Sequence, residues 1–133
     1  MSNLTMLKKQ HEEMLTLIQT IEAAAVSPAK NAAEIAHNIN ALSGKMKIHL
    51  MSEDRFLYPS LAHSENPAIK ATAQQFNQEM GGLAEQFTLF VRQYNIPSKI
   101  TDAQTAFLAD SRNIFQIIRE RMTREDHTLY PLL

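Results

Sequence analysis

Four stretches of this 133-residue sequence carry apolar residues at alternating steps of three and four. That rhythm places side chains along one seam of a helix and fits no strand. The first seam runs Leu4, Leu7, His11, Met14, Ile18, Ile21 and Ala25, and the second runs Ile35, Ile39, Leu42, Met46, His49, Glu53, Phe56 and Ser60. The third runs Ile69, Ala73, Phe76, Met80, Leu83, Phe87, Phe90 and Tyr94, and the fourth Phe107, Ser111, Ile114, Ile118, Arg121, Glu125 and Thr128. Proline-bearing loops separate them at Ser27–Asn31, His63–Pro67 and Asn95–Thr101. The pattern predicts helices near residues 3–26, 31–62, 67–94 and 102–130. Short loops between long helices make antiparallel neighbours, so the expected fold is an all-α, up-down-up-down four-helix bundle, with residues 1–133 as one domain. Asn66-Pro67 reads as N-cap and first helical residue, and Thr101-Asp102 offers a cap for the last helix. Pro59 and Pro131 should kink or end their helices.

Composition removes several classes of function. Thirteen Lys+Arg against fourteen Asp+Glu give a net charge of −1 with no basic run, so neither nucleic acid nor an anionic membrane is an expected partner. No segment is apolar enough to span a membrane, and the charged start Met-Ser-Asn-Leu-Thr-Met-Leu-Lys-Lys has no apolar leader core, so the expected location is the cytoplasm. The absence of Cys excludes disulfides, thiolate metal sites and cysteine nucleophiles. No glycine-rich phosphate loop or serine nucleophile motif is present.

The informative residues are the exceptions on the seams. His11, His49, Glu53, Arg121 and Glu125 stand where apolar residues belong. Burying a charge is costly unless it is paired or bound to a metal, so these five should meet inside the bundle. The chain also repeats itself. Residues 49–61 and 121–133 share Glu-Asp, then Leu-Tyr-Pro, then a final Leu, at an offset of 72; the first and third seams align at 69. In this pseudo-two-fold register His11 corresponds to Met80, His49 to Arg121 and Glu53 to Glu125.

A seam histidine followed by His49-x-x-x-Glu53-Asp54 and Leu57-Tyr58-Pro59, echoed at Glu125-Asp126 and Leu129-Tyr130-Pro131, resembles the hemerythrin-like (HHE cation-binding) family over nearly the whole chain. The resemblance implies a four-helix bundle around a non-haem di-iron site, in a family of oxygen carriers, oxygen or nitric-oxide sensors and iron–sulfur repair proteins. It also exposes two departures. Met80 and Arg121 stand where the family places histidines. A thioether is a poor ligand for hard iron, and a guanidinium cannot ligate. Carried over residue by residue, the retained ligand set is His11, His49, Glu53 and Glu125, enough for one Fe, Mn or Zn ion. Arg121 would fill the other metal position as a fixed cation, neutralising Glu53 and Glu125 and lowering both carboxyl pKa values.

Two readings follow. In one, the bundle holds at most one metal and binds or senses a metal, O2 or NO without turnover. In the other it holds none, and the polar cluster is structural in a module for a protein or small-molecule partner. An oxidase or peroxidase would need an open coordination position. Tyr58 and Tyr130, five residues past each carboxylate, are expected to cap the bundle end by packing, with contact to the site as the alternative. His127, His37 and His63 are expected at the surface. Gly81-Gly82 in the third helix implies close helix packing, or else a bulge or pocket that could turn Glu79 inward. The seams are satisfied within one chain, which fits a monomer; a dimer is the alternative.

Overall fold

The computed structural model describes residues 2–133, and no strand occurs among them. The long helices are α1 (Asn3–Ala24), α2 (Ala32–Phe56), α4 (Pro67–Tyr94) and α6 (Gln104–Arg124). They form the antiparallel up-down-up-down bundle. Two short helices, α3 (Tyr58–Ala62) and α5 (Pro97–Thr101), sit between them. After α6 come a π turn (Glu125–Leu129) and a 3-10 turn (Tyr130–Leu132).

Local chemistry explains the ends. The Ser2 hydroxyl accepts from Thr5 N–H at 3.1 Å, and the Asn66 side chain accepts from Ala68 N–H at 2.9 Å ahead of Pro67. Both satisfy donors that a helix start leaves free. The expected Thr101-Asp102 cap is not formed: Thr101 ends α5, and α6 follows Ala103 with no side-chain cap. Pro97 opens this extra turn, which drives Ile100 fully into the core.

The two Leu-Tyr-Pro segments resolve the same problem differently. A proline removes a backbone donor and crowds the carbonyl four residues back. In the first copy the chain kinks at Leu57, and Pro59 lies in the first turn of α3. In the second, the last turn of α6 widens, and Tyr130 N–H bonds the Glu125 carbonyl five residues back. Both adjustments move the seams by one residue. Leu57, Leu61, Leu129 and Tyr130 are buried at the ends, whereas the expected Ser60 and Thr128 are exposed.

Two apolar clusters flank the middle of the bundle. The larger contains Met14, Met46, Met80 and Met122 and an aromatic group of Phe87, Phe90, Tyr94, Phe107 and Phe115. The smaller contains Leu7, Leu57, Phe76, Leu129 and Tyr130. Along α1 and α2 the polar seam residues fall between them. Gly81 and Gly82 do not serve close packing, because a Cβ at either would meet nothing within 4 Å. α4 runs through them without a bulge, and Glu79 stays at the surface, 3.0 Å from Arg124. Gly82 lines an open cleft of about 380 Å3 with Glu79, Arg121 and Arg124.

Truncating the fully buried Ile18 to Ala should cost about 2–5 kcal/mol. It should lower the urea midpoint at unchanged slope, whereas Ile48→Ser, at a 57% exposed position, should move stability by less than about 0.5 kcal/mol.

Candidate metal centre

Three elements deliver the polar residues to one point. α1 supplies His11, α2 supplies His49 and Glu53 one turn apart, and the start of the π turn supplies Glu125. All four are at most 2% exposed. One donor atom from each lies within 4.8 Å of all the others. His11 Nε2 is 3.1 Å from His49 Nε2 and 2.8 Å from Glu125 Oε1. His49 Nε2 is 3.4 Å from Glu53 Oε2 and 3.7 Å from Glu125 Oε1.

The far side of each imidazole is fixed. His11 Nδ1 donates to Asp126 Oδ1 at 2.9 Å, and His49 Nδ1 donates to Gln10 Oε1 at 2.7 Å. The Gln10 amide nitrogen donates in turn to Ser52 Oγ at 3.0 Å, which orients its oxygen toward the ring. Both rings therefore present Nε2 to the interior. Two imidazole nitrogens and two carboxylate oxygens facing one another are four lone-pair atoms, and only protons or a cation can hold them together.

Protonation follows from these contacts. Burial works against a charged His49, but hydrogen bonds to Glu125 and Glu53 outweigh it and raise the ring from 6.5 to about 9. Burial also opposes a charged Glu125, yet hydrogen bonds from His11 and His49 and the charge of Arg121 hold it well below the usual carboxylate range. Burial raises Glu53, with the neighbouring Glu125 adding to the shift. The expectation that Arg121 lowers both carboxyl groups thus holds for Glu125 and fails for Glu53. The reason is reach. Arg121 Nε bonds Glu125 Oε2 at 3.0 Å, Nη2 donates to Tyr58 Oη at 3.2 Å, and the guanidinium lies 4.7 Å over the Phe76 ring. Its Nη1 also lies 3.8 Å from Glu79 Oε2 at the surface, so of the two buried carboxylates only Glu125 is paired with it.

Tyr58 and Tyr130 do more than pack. Tyr58 holds Arg121. The Tyr130 hydroxyl donates to Glu53 Oε2 at 2.8 Å and lies 3.0 Å from His11 Nε2, 3.3 Å from His49 Nε2 and 3.5 Å from Glu125 Oε1. Gln10 was not singled out by the sequence, its only signal being adjacency to His11, and Asp126 entered only as part of the repeated Glu-Asp pair, with no role assigned. His37, His63 and His127 are exposed and take no part.

The residues fit one ion. Bonds of about 2.1 Å to a single metal put neighbouring donors about 3.0–3.6 Å apart, close to the spacings above. Glu53 Oε1 is buried with no hydrogen-bond partner, so a second oxygen is free to serve the same ion. Beside Glu125 the buried Arg121 offers only protonated nitrogens, which cannot ligate a cation.

The fold and this donor cluster together define an all-α bundle of the cation-binding kind. The chain belongs to the hemerythrin family, described as the hemerythrin HHE cation binding domain, which matches residues 2–133. No curated protein and no solved structure matches the chain. No helix among the described residues is long and apolar enough to cross a membrane.

In the metal-free protein, replacing Arg121 by Ala leaves Glu125 buried beside no permanent cation, and should cost about 3–5 kcal/mol in chemical denaturation. A pH series on chelator-treated protein gives a second check. The raised His49 contributes stability that is complete below about 6.5 and lost as pH rises through about 9. The lowered Glu125 contributes stability that is present above its ordinary 4.5 and lost in acid. Glu53, raised by burial, contributes stability that is complete below its ordinary 4.5 and lost as pH rises through its raised folded value. The melting temperature should therefore be highest near 4.5, fall on the acid side with Glu125, and fall above it first with Glu53 and then further toward 9 with His49, and His49→Gln should flatten the limb between about 6.5 and 9.

Proposed function

We propose that this protein is a hemerythrin-like metal-binding protein with a reduced, mononuclear site. His11, His49, Glu53 and Glu125 would hold one non-haem iron-type ion, with Mn or Zn as other cations that suit the donors. Its role is to bind or sense a metal, O2 or NO rather than to turn over a substrate. The observation that carries this reading is the convergence of two Nε2 atoms and two carboxylate oxygens within 4.8 Å, in a family defined by cation binding. Bound iron would supply a Lewis-acidic, redox-active centre.

The chain's own residues have definite parts in this reading. Asp126 and Gln10 keep the imidazoles in the tautomer with Nε2 free for the ion. Arg121 holds the outer oxygen of Glu125, which leaves Oε1 facing the ion and sets a permanent positive charge beside it that disfavours a second cation. Leu7 and Met14, one turn away from His11 on either side, exclude water along α1.

The second reading, a metal-free module for a protein or small-molecule partner, has its own support. The cluster already forms a hydrogen-bonded set with Tyr130 at its centre and Arg121 at its edge. Metal analysis of protein purified without a histidine tag separates the two. We expect no more than one ion per chain after anaerobic Fe(II) loading, and His49→Ala should abolish uptake. A full-length, folded protein that takes up none supports the metal-free reading.

The same reading predicts how to restore the second ion. Met80→His together with Arg121→His should raise uptake from one iron to two by elemental analysis. Neither single change should suffice. Met80→His leaves a permanent positive charge, and two like unit charges at about 4 Å repel by about 4 kcal/mol at an effective dielectric of 20, roughly twice that for a divalent ion. Arg121→His removes the charge but supplies only one of the two nitrogens.

A further inference from the structure

We infer that Tyr130 is itself a ligand of the bound ion, making a five-donor set of His11, His49, Glu53, Glu125 and Tyr130. This inference rests on the single-ion reading above and goes beyond it. Its first support is the arrangement of the five atoms. Donors that share one ion with bonds of about 2.1 Å lie about 3.0–3.6 Å apart. Tyr130 Oη lies 2.8 Å from Glu53 Oε2, 3.0 Å from His11 Nε2, 3.3 Å from His49 Nε2 and 3.5 Å from Glu125 Oε1, close to the spacings a fifth donor to the same ion would take.

The second support is the backbone. In an ordinary helix a residue five positions on is turned about 140° away. The π turn over Glu125–Leu129 cancels that rotation and brings Tyr130 under Glu125. A widened turn costs helix geometry and is frequent at functional sites. Its equivalent in the first repeat is a kink, and there Tyr58 Oη goes to Arg121. Only the copy with the π turn sends its phenol to the metal ligands. Such a phenol, 1% exposed among two carboxylates and two imidazoles, is far from the packing role its sequence position suggests.

The chemistry balances without an oxidant. On ligation the Tyr130 O–H bond would break, its proton would pass out to solvent as the ion enters, and the oxygen lone pair would bond the ion, with no change of oxidation state. A phenolate adds a third hard anionic oxygen to the set and favours Fe(III). It leaves at most one position of a six-coordinate ion for an outside ligand.

The test is spectroscopic. Tag-free protein is loaded with Fe(III), the iron is counted, and the visible and resonance Raman spectra are recorded for wild type, Tyr130→Phe and the double variant Tyr58→Phe/Tyr94→Phe. The chain has three tyrosines, so the double variant keeps Tyr130 alone. We expect one iron per chain with a phenolate-to-iron charge-transfer band and tyrosinate vibrations in wild type, and the same band per bound iron in the double variant, whose total iron is read separately because Tyr58 braces Arg121. Tyr130→Phe should lose both features and bind iron at least about tenfold more weakly. The double variant carries the test if Tyr130→Phe does not fold. One iron per chain with no phenolate band in the wild type overturns the inference and leaves the single-ion reading standing. So does a band that survives in Tyr130→Phe, or tighter iron binding by that variant, which would make Tyr130 a plug in the metal's place. Absence of iron from folded wild type overturns both.

Discussion

The interior of this bundle is organised by the need to satisfy ionisable groups where water cannot reach them. His11, His49, Glu53, Arg121 and Glu125 are all at most 6% exposed. An isolated charge in such a place is prohibitive, and pairs survive only with good geometry and further hydrogen bonds. The protein meets that demand with three devices. Arg121 is matched to Glu125 and braced by Tyr58 and Phe76. The histidines are tied outward to Asp126 and Gln10. Glu53, out of reach of Arg121, is shifted by burial toward its neutral form and accepts from Tyr130. The kink at Leu57 and the π turn at Glu125 are the backbone adjustments that let these contacts form at the end of two helices.

The bundle was legible because its signal is redundant. Four seams of apolar residues, each interrupted at a proline-bearing loop, specify helices whose buried faces are known in advance. Polar residues on those seams stand out for the same reason, and all five are buried. What periodicity cannot convey is a change of period. A constant 3.6-residue turn puts Tyr130 away from Glu125 and Thr128 near the seam, so the π turn hid the phenol's position and misplaced the last buried residue. The kink at Leu57 did the same for Phe56 and Ser60. Gln10 and Asp126 lie beside seam residues rather than on them, and only the side-chain geometry reveals them. Arg121 lies inside the bundle, and that it reaches Glu125 and Glu79 but not Glu53 depends on rotamers that spacing does not determine.

The loss of symmetry between the two repeats has a chemical consequence. The first hairpin contributes both histidines and Glu53 to one cluster, whereas the second contributes Glu125, Tyr130 and a guanidinium. Glu125 turns one oxygen to the cluster and has the other bound by Arg121 Nε at 3.0 Å, which sets a permanent charge beside it. On the reading proposed above, the site is one metal position with an arginine beside it, within a family defined by cation binding.

The most direct test of that claim is anomalous diffraction at the iron edge from crystals of the iron-loaded wild-type protein. The account predicts one anomalous peak per chain, at bonding distance from His11 Nε2, His49 Nε2 and the Glu53 and Glu125 carboxylates, with the Arg121 guanidinium beside Glu125. Two peaks per chain, or a single peak away from these four side chains, would contradict it.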